Sequence, residues 1–439
     1  MFPFRRSRSC SDSGAFSLGR MLAMATAAVT FALLPVRPAS ALYSESVLHD
    51  FCKWTNCADG KNPQSELVAD SAGNLYGTAT LGGKHGEGVV FKYVPSTGKY
   101  YTLHNFCAFT SCRDGSQPQG GVIVDTSGNL FGTASGGGKY GNGTIFELSH
   151  GSNGWPLTVV LAFCPNYDCT TTGGYPYGTL AYPGQTTGAP WDPRSGSALL
   201  VTRDGGAYGN GTVYALCKLC IGGGDIHNFN TAFEANPLLV STDGTVYGTT
   251  HGGGTNYGGI LYRMKFQGSA GWSFTLLHTF CSAINTCPNG QGPVGRLAMD
   301  SLGNLFGATY NGGANPCDGH GCGVVFKYTA GGTYSVLYNF CSRAACKDGN
   351  YPQASVILDS YNNLFGTTTA GGTAGVGTAF ELVASDAWAE HVRYDFCSQP
   401  NCTDGSNPQS DLFLYGGEFY GTTHDGGAYQ GGTVFSLTP

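Results

Sequence analysis

Charge is scarce in this chain of 439 residues. Lys and Arg number 22, Asp and Glu 28, together 11% of the total, against roughly a quarter in an average soluble domain. Charge-rich disorder and a basic nucleic-acid surface are therefore both excluded. No apolar stretch beyond Leu34 approaches the length needed to span a bilayer. Helical periodicity is missing as well, since nowhere past residue 41 do apolar residues keep a three-and-four spacing for longer than a turn. Catalytic signatures are absent too. There is no Gly-x-Ser-x-Gly elbow, no His-Glu-x-x-His and no nucleophilic cysteine context. Glycine clusters such as Gly136-Gly137-Gly138 lack the helix and Lys-Ser/Thr pair of a phosphate loop. What abounds is Gly (70), Tyr (25) and Phe (25), the composition of a turn-rich, aromatic β protein.

The N-terminus reads as a secretory leader. Arg5, Arg6, Arg8 and Arg20 precede an apolar run from Met21 to Leu34, and Ala39-Ser40-Ala41 offers a small-residue cleavage site. A membrane anchor is the weaker alternative, because Pro35, Arg37 and Pro38 cut the run short. Removing residues 1–41 takes away five Arg and one Asp, leaving 17 basic and 27 acidic residues, a formal charge of −10. Such a chain does not seek nucleic acid or an anionic membrane.

Cysteine usage agrees with export to a secreted or periplasmic location. Cys10 leaves with the leader, and the other sixteen form close couples: Cys52/Cys57, Cys107/Cys112, Cys164/Cys169, Cys217/Cys220, Cys281/Cys287, Cys317/Cys322, Cys341/Cys346 and Cys397/Cys402. Tight couples predict local disulfides, each stiffening a surface turn. Zinc is the rival, but the usual grouping of two CxxC couples is absent.

The chain repeats itself. An aromatic-Gly-Thr signature recurs at Tyr76, Phe131, Tyr247, Phe365 and Tyr420, as Phe306-Gly-Ala in one unit, and degenerates to Leu199-Leu-Val-Thr in another. Each unit offers four short strand candidates; in the second these are 121–125, 129–134, 143–148 and 156–163. The units lie near 65–107, 120–164, 177–229, 237–281, 294–341, 353–397 and 410–439. The last lacks a fourth strand, and residues 44–52 match the missing one (Val47-Leu-His-Asp-Phe-Cys52 against Thr102-Leu-His-Asn-Phe-Cys107). The expectation is one domain over 42–439: a seven-bladed β-propeller of four-stranded blades, closed by the N-terminal strand. A parallel β-solenoid would leave the complementary ends unexplained.

The pattern Asn-Leu-Tyr/Phe-Gly-Thr-Thr…Gly-Gly…Gly-Thr-Val-Phe, followed by Trp or Tyr and Leu-x-x-Phe, resembles the GloVer tandem repeat of secreted bacterial proteins across nearly the whole mature chain. That resemblance implies a secreted repeat protein of propeller type. It carries no reaction and no catalytic residues.

Repetition supplies a test for function. A residue recurring in every blade serves the blade, whereas a site breaks the symmetry. Asp59, Asp114, Asp348 and Asp404 in Cys-x-Asp-Gly, and Asp70, Asp125, Asp300 and Asp359 in the hairpins, recur and read as turn residues. One carboxylate per loop is thin for calcium. His49, His104, His227 and His278 recur on the fourth strand, with Tyr338 and Tyr394 in their place later, which suits packing better than a general base. Trp155, Trp272 and Trp388 head the same strand and read as outer-edge packing.

The residue three beyond the signature glycine does vary: Thr80, Ser135, Arg203, His251, Tyr310, Thr369 and His424, with Asp204 and Asp425 beside two of them. These positions would ring the channel mouth, as a ligand-contact set or as solvated loop tips. Trp54, Phe109, Tyr140, Tyr208, Tyr257 and Tyr429 fall on the same face and could stack on sugar rings or cover glycine backbone. The third unit also carries an insertion, 183–196, that would lie on the opposite face as a partner contact or a tolerated loop. The expected function is non-enzymatic binding of a glycan or an extracellular protein by a monomer, without cofactor or metal. A polysaccharide hydrolase or lyase and a purely structural surface protein are the alternatives.

Overall fold

The computed structural model describes residues 42–439 apart from 153, 186–188, 194, 195, 218–221, 284 and 285. The expected leader and the Cys217–Cys220 couple lie outside the described residues. Seven antiparallel sheets form a ring, a seven-bladed β-propeller. In blade 2 the strands are Ile123–Val124, Leu130–Ala134, Thr144–Leu148 and Leu157–Ala162, in chain order from axis to rim. Blade 7 draws on both ends of the chain. Its strands Glu418–Asp425 and Thr433–Thr438 are followed by Ser44–Asp50, antiparallel, with Ser44 opposite Thr438 and Asp50 opposite Thr433.

The repeated residues have mechanical roles. The signature glycine makes room for an aromatic ring on the third strand: a Cβ on Gly132 would stand 2.6 Å from Phe146 Cζ. The following threonine stitches its blade to the next, as Thr78 Oγ1 donates to the Gly120 carbonyl (2.9 Å) and Thr133 Oγ1 to that of Gly178 (3.1 Å). Apolar side chains fill the wedges between blades rather than one central core. Phe106 and Val90 of blade 1, for instance, pack with Leu130 and Phe146 of blade 2.

Each blade is also clasped to its predecessor. The residue entering the first strand takes the left-handed conformation at Asn62, Gln117, Tyr175, Glu234, Gly292, Tyr351 and Asn407 (φ 53–62°). In six of the seven its N–H bonds a carbonyl of the preceding blade, as from Tyr175 to Asn142 (2.8 Å). A proline follows in those same six and lies on a glycine of that blade; a Cβ on Gly143 would meet Pro176 Cδ at 2.4 Å. Glu234 is followed instead by Ala235.

The recurrent polar residues close on themselves. Asp114 accepts from the N–H groups of Ala108 and Phe109 and lies 2.9 Å from His104 Nε2. Tyr338 and Tyr394 donate to Asp348 and Asp404 (2.7 Å each) in the same way, which explains the His-to-Tyr exchange. The neighbouring blade answers that exchange. Tyr100 and Tyr334 stack on His49 and His278 at 3.7 and 3.8 Å, whereas carboxylates, Glu390 and Glu45, face the two tyrosines. Asp70 caps its hairpin through the N–H groups of Ala72 and Asn74.

The insertion in blade 3 is more than a tolerated loop. Trp191 is buried edge-on against Phe131 of blade 2 (5.0 Å), and its backbone N–H bonds the Val124 carbonyl. Trp191→Ala should cost about 3–5 kcal/mol in equilibrium denaturation, as for other fully buried aromatics.

Glu45, on the strand that joins blade 7, is pushed up to about 8 by burial and by the carboxylates of Asp404 and Asp50. A carboxyl raised in the fold stabilises it fully below the ordinary value of 4.5, and that contribution is lost as pH rises through about 8. Thermal melts across this range should fall less steeply for Glu45→Gln than for the wild type.

Candidate functional site

The face carrying the inter-blade loops is built on glycine pairs and disulfides. Seven disulfides are formed among the described residues: Cys52–Cys57, Cys107–Cys112, Cys164–Cys169, Cys281–Cys287, Cys317–Cys322, Cys341–Cys346 and Cys397–Cys402. These are the expected couples except Cys217–Cys220. Their part in the fold is larger than the expected stiffening of one surface turn. In six of them the second cysteine offers its backbone carbonyl to the blade's glycine turn. Cys57 accepts from the Gly83 N–H, Cys112 from Gly138 and Cys169 from Gly206, at 2.8 Å each. Cys287 accepts from Gly313 (3.0 Å), Cys346 from Gly372 and Cys402 from Gly427 (2.9 Å each). Only glycine lets the turn come so close, since a Cβ on Gly137 would lie 2.6 Å from the Cys112 oxygen. The couple thus pins the inter-blade loop to the loop between the second and third strands. The sulfurs of Cys317, Cys322, Cys341 and Cys346 lie within 4.8 Å of one another, but as two disulfides they offer no thiolate to a metal.

On this face a cavity of about 320 Å³ opens between blades 3, 4 and 5. Its lining is Tyr177 and Arg203, then Glu234, Ala235, Asn236 and His251, then Val294, Gly295, Tyr310 and Asn311, with Gln353 of blade 6. It adjoins the blade entry at Glu234-Ala235, where the clasping proline is missing.

The varying ring therefore divides. Arg203, His251 and Tyr310 share the cavity. Arg203 lies over the Tyr177 ring at 4.9 Å, and burial raises the Tyr177 hydroxyl above its ordinary value. His251 rests against the bare backbone of Gly292, where a Cβ would come within 2.7 Å of the imidazole. Tyr310 stacks on Tyr351 at 5.0 Å. The Tyr351 hydroxyl donates to Asp318 and is pushed up to about 12 by burial and that carboxylate.

The small hydroxyls are spent on the fold. Ser135 Oγ donates to the Gln117 carbonyl, Thr369 Oγ1 to that of Tyr351 and Thr80 Oγ1 to that of Pro118. His424 and Asp425 pair with each other (2.9 Å) and with Asn62 and Asn407, away from the cavity. Asp204 is exposed at a strand end opposite Gly174 and is not part of the cavity lining. Cys57, Cys169, Cys287 and Cys402 likewise stand outside that lining, so the disulfides support the face without forming the site. Among the aromatics, Trp54, Phe109, Tyr208, Tyr257 and Tyr429 are exposed. Tyr140 is half-buried, edge-on to exposed Tyr167.

Beneath the cavity the axis is crossed by an ion pair that the ring of loop positions does not reveal. Arg296 of blade 5 reaches Glu66 of blade 1 through two contacts, 3.0 and 3.4 Å. The Arg296 N–H donates to Ser355 Oγ, which in turn donates to Asp411 (2.6 Å each). Burial pushes the Glu66 carboxyl up, against the pull of Arg296. The same first-strand position reads Glu66, Gly121, Thr179, Pro237, Arg296, Ser355 and Asp411 around the ring. The preceding channel-facing residues give Gln64, Gln119, Tyr177, Val294, Gln353 and Gln409. Both columns break the repeat's symmetry. Comparing first strands, and not only loop tips, exposes them.

A model of the Gloeobacter/Verrucomicrobia repeat matches residues 36–190 and 185–435. The chain belongs to the Gloeobacter/Verrucomicrobia repeat family. No curated protein matches it. Solved structures similar to this repeat protein include an ancestral GH74 enzyme (12% identity, TM-score 0.54), the GH74 xyloglucanase from Xanthomonas campestris (12%, 0.52) and the GH74 enzyme of Niastella koreensis (17%, 0.50). They align with 86%, 87% and 85% of this chain but with only 48%, 52% and 51% of their own. The likeness is one of fold, and the repeat chain spans about half their length. Among its described residues no helix is long and apolar enough to cross a membrane.

Leaving one half of the axial pair unpartnered is the costly change. Arg296→Leu alone should destabilise by about 3–5 kcal/mol, while Glu66→Leu/Arg296→Leu recovers much of that in a double-mutant cycle of denaturant unfolding.

Proposed function

We propose that the cavity between blades 3, 4 and 5 binds a carbohydrate and that the protein is an exported, non-enzymatic glycan-binding protein. The observation that carries this reading is the convergence of Arg203, His251 and Tyr310 in one cavity. These are three of the ring positions whose side chains differ most from blade to blade. The volume, about 320 Å³, is at the small end of ligand sites and suits a single sugar ring. Amides from Asn311 and Gln353 match hydroxyl groups, which both donate and accept. Exposed Tyr208 and Tyr257 sit on the turns that follow Arg203 and His251, where further sugars of a chain could stack. Seven disulfides among the described residues support an oxidising, extracytoplasmic location.

One observation favours an enzymatic second reading. Arg203, His251 and Tyr310 are the cation, base and acid types of a polysaccharide lyase, and they line one cavity. A hydrolase is less well supported, because Glu234 is the one carboxylate among the described lining residues and glycoside hydrolysis ordinarily uses two.

A glycan array probed with the mature protein tests the binding reading. His251→Ala with Tyr310→Ala should weaken the strongest array ligand by about tenfold or more, and Thr369→Ala should leave it unchanged. An array on which nothing binds, or a double variant that binds normally, sinks the reading. Unsaturated-product formation from pooled polysaccharides would replace it with the lyase.

A further inference from the structure

The class of sugar can be narrowed by charge, on the reading that this cavity binds a glycan. Arg203 is the one permanent cation among the described residues that line it, and Glu234 the one carboxylate. The two are not within ion-pair distance of each other, and among the described residues the Arg203 guanidinium has neither an ion pair nor a hydrogen bond. Other arginines are treated differently: Arg296, Arg343 and Arg393 each hold a glutamate. Arg203 is instead supported by the Tyr177 ring at 4.9 Å. Such stacking orders the long side chain before any ligand arrives and leaves its N–H donors unspent. A guanidinium held this way matches a carboxylate, two donors to two oxygens.

The rest of the molecule limits how much negative charge the ligand can carry. The chain beyond residue 41 has 17 basic and 27 acidic residues, and Glu234 is exposed at the cavity itself. A polyanion would gain at Arg203 but meet the net negative charge of the chain and Glu234. We propose that the cavity selects a sugar bearing one carboxylate, a hexuronate or an equivalent acidic residue within an otherwise neutral glycan, with Arg203 receiving the carboxylate. Glu234 then acts against neighbouring acidic residues, a repulsive element that sharpens selection.

Calorimetric titration of the mature protein with glucuronate, galacturonate, their methyl esters, glucose and galactose tests this. At least one free uronate should bind about tenfold more tightly than its ester and its neutral counterpart, and added salt should shrink that gap. Arg203→Gln should abolish the preference of the free acid over its ester, and oligogalacturonate should bind no more tightly than the monomer. Equal binding of acid and ester overturns the proposal and leaves the glycan reading standing. A preference that survives in Arg203→Gln, or rises along a polyuronate series, also overturns it. Binding of none of these sugars, and of nothing on a glycan array, would remove the glycan reading itself. The ester comparison needs no variant, so it decides the matter even if Arg203→Gln unfolds.

Discussion

The ring hangs on a strained residue repeated around the axis. Each blade begins with a residue in the left-handed conformation, which costs a non-glycine side chain on the order of 1 kcal/mol. At Asn62, Gln117, Tyr175, Tyr351 and Asn407 the strain is offset twice over, by an N–H bond to the preceding blade and by a proline seated on that blade's glycine; Gly292 makes the same two contacts without the strain. Glycine on one side of the joint and proline on the other are thus two halves of one contact. Part of the abundance of glycine in the composition follows from it. The same conformation sets the direction in which the entering side chain leaves the backbone, so the joint that holds the blades together also furnishes the face.

Where the joint departs from its pattern, a cavity adjoins it. Ala235 replaces proline at the entry to blade 4, Val294 replaces glutamine in blade 5 and Tyr177 replaces it in blade 3. None of these changes is large. Together they leave a space walled by aromatic, amide and charged groups, next to the axis where Glu66 and Arg296 pair.

The blades were legible in the sequence because a four-stranded unit with glycine turns leaves a periodic trace. Strand limits read from the second unit agree with the structure to within two residues, Asn129–Ala134 against Leu130–Ala134 for example. The disulfide couples were legible for the same reason, although the carbonyl that Cys57, Cys169, Cys287 or Cys402 lends to a distant glycine turn was not. The candidate site was legible only in part. Arg203, His251 and Tyr310 stood out as departures from the repeat, but so did Thr80, Ser135 and Thr369, whose hydroxyls are short enough to turn back onto the backbone. Side-chain reach, not identity, separates the two sets, and reach needs coordinates. Tyr177, Glu234 and Gln353 were missed because they lie in or near first strands, which carry no fixed signature and vary in length from the two residues of Ile123–Val124 to the eight of Gly174–Ala181. The axial pair joins residues 230 positions apart, a partnership that no local pattern announces. Trp191 was equally hidden, since an insertion offers no repeat to compare it with.

Blade 7 has a mechanical consequence. Ser44 lies opposite Thr438, so the first residue of one outer strand and the last of its neighbour stand side by side. Tension applied between them would load the ladder one hydrogen bond at a time, as a zipper is opened, rather than all bonds together in shear. If the protein is tethered through one end while its ligand sits on the far blades, pulling on the ligand would load the inter-blade joints, whereas pulling between the two ends would peel Ser44–Asp50 away first.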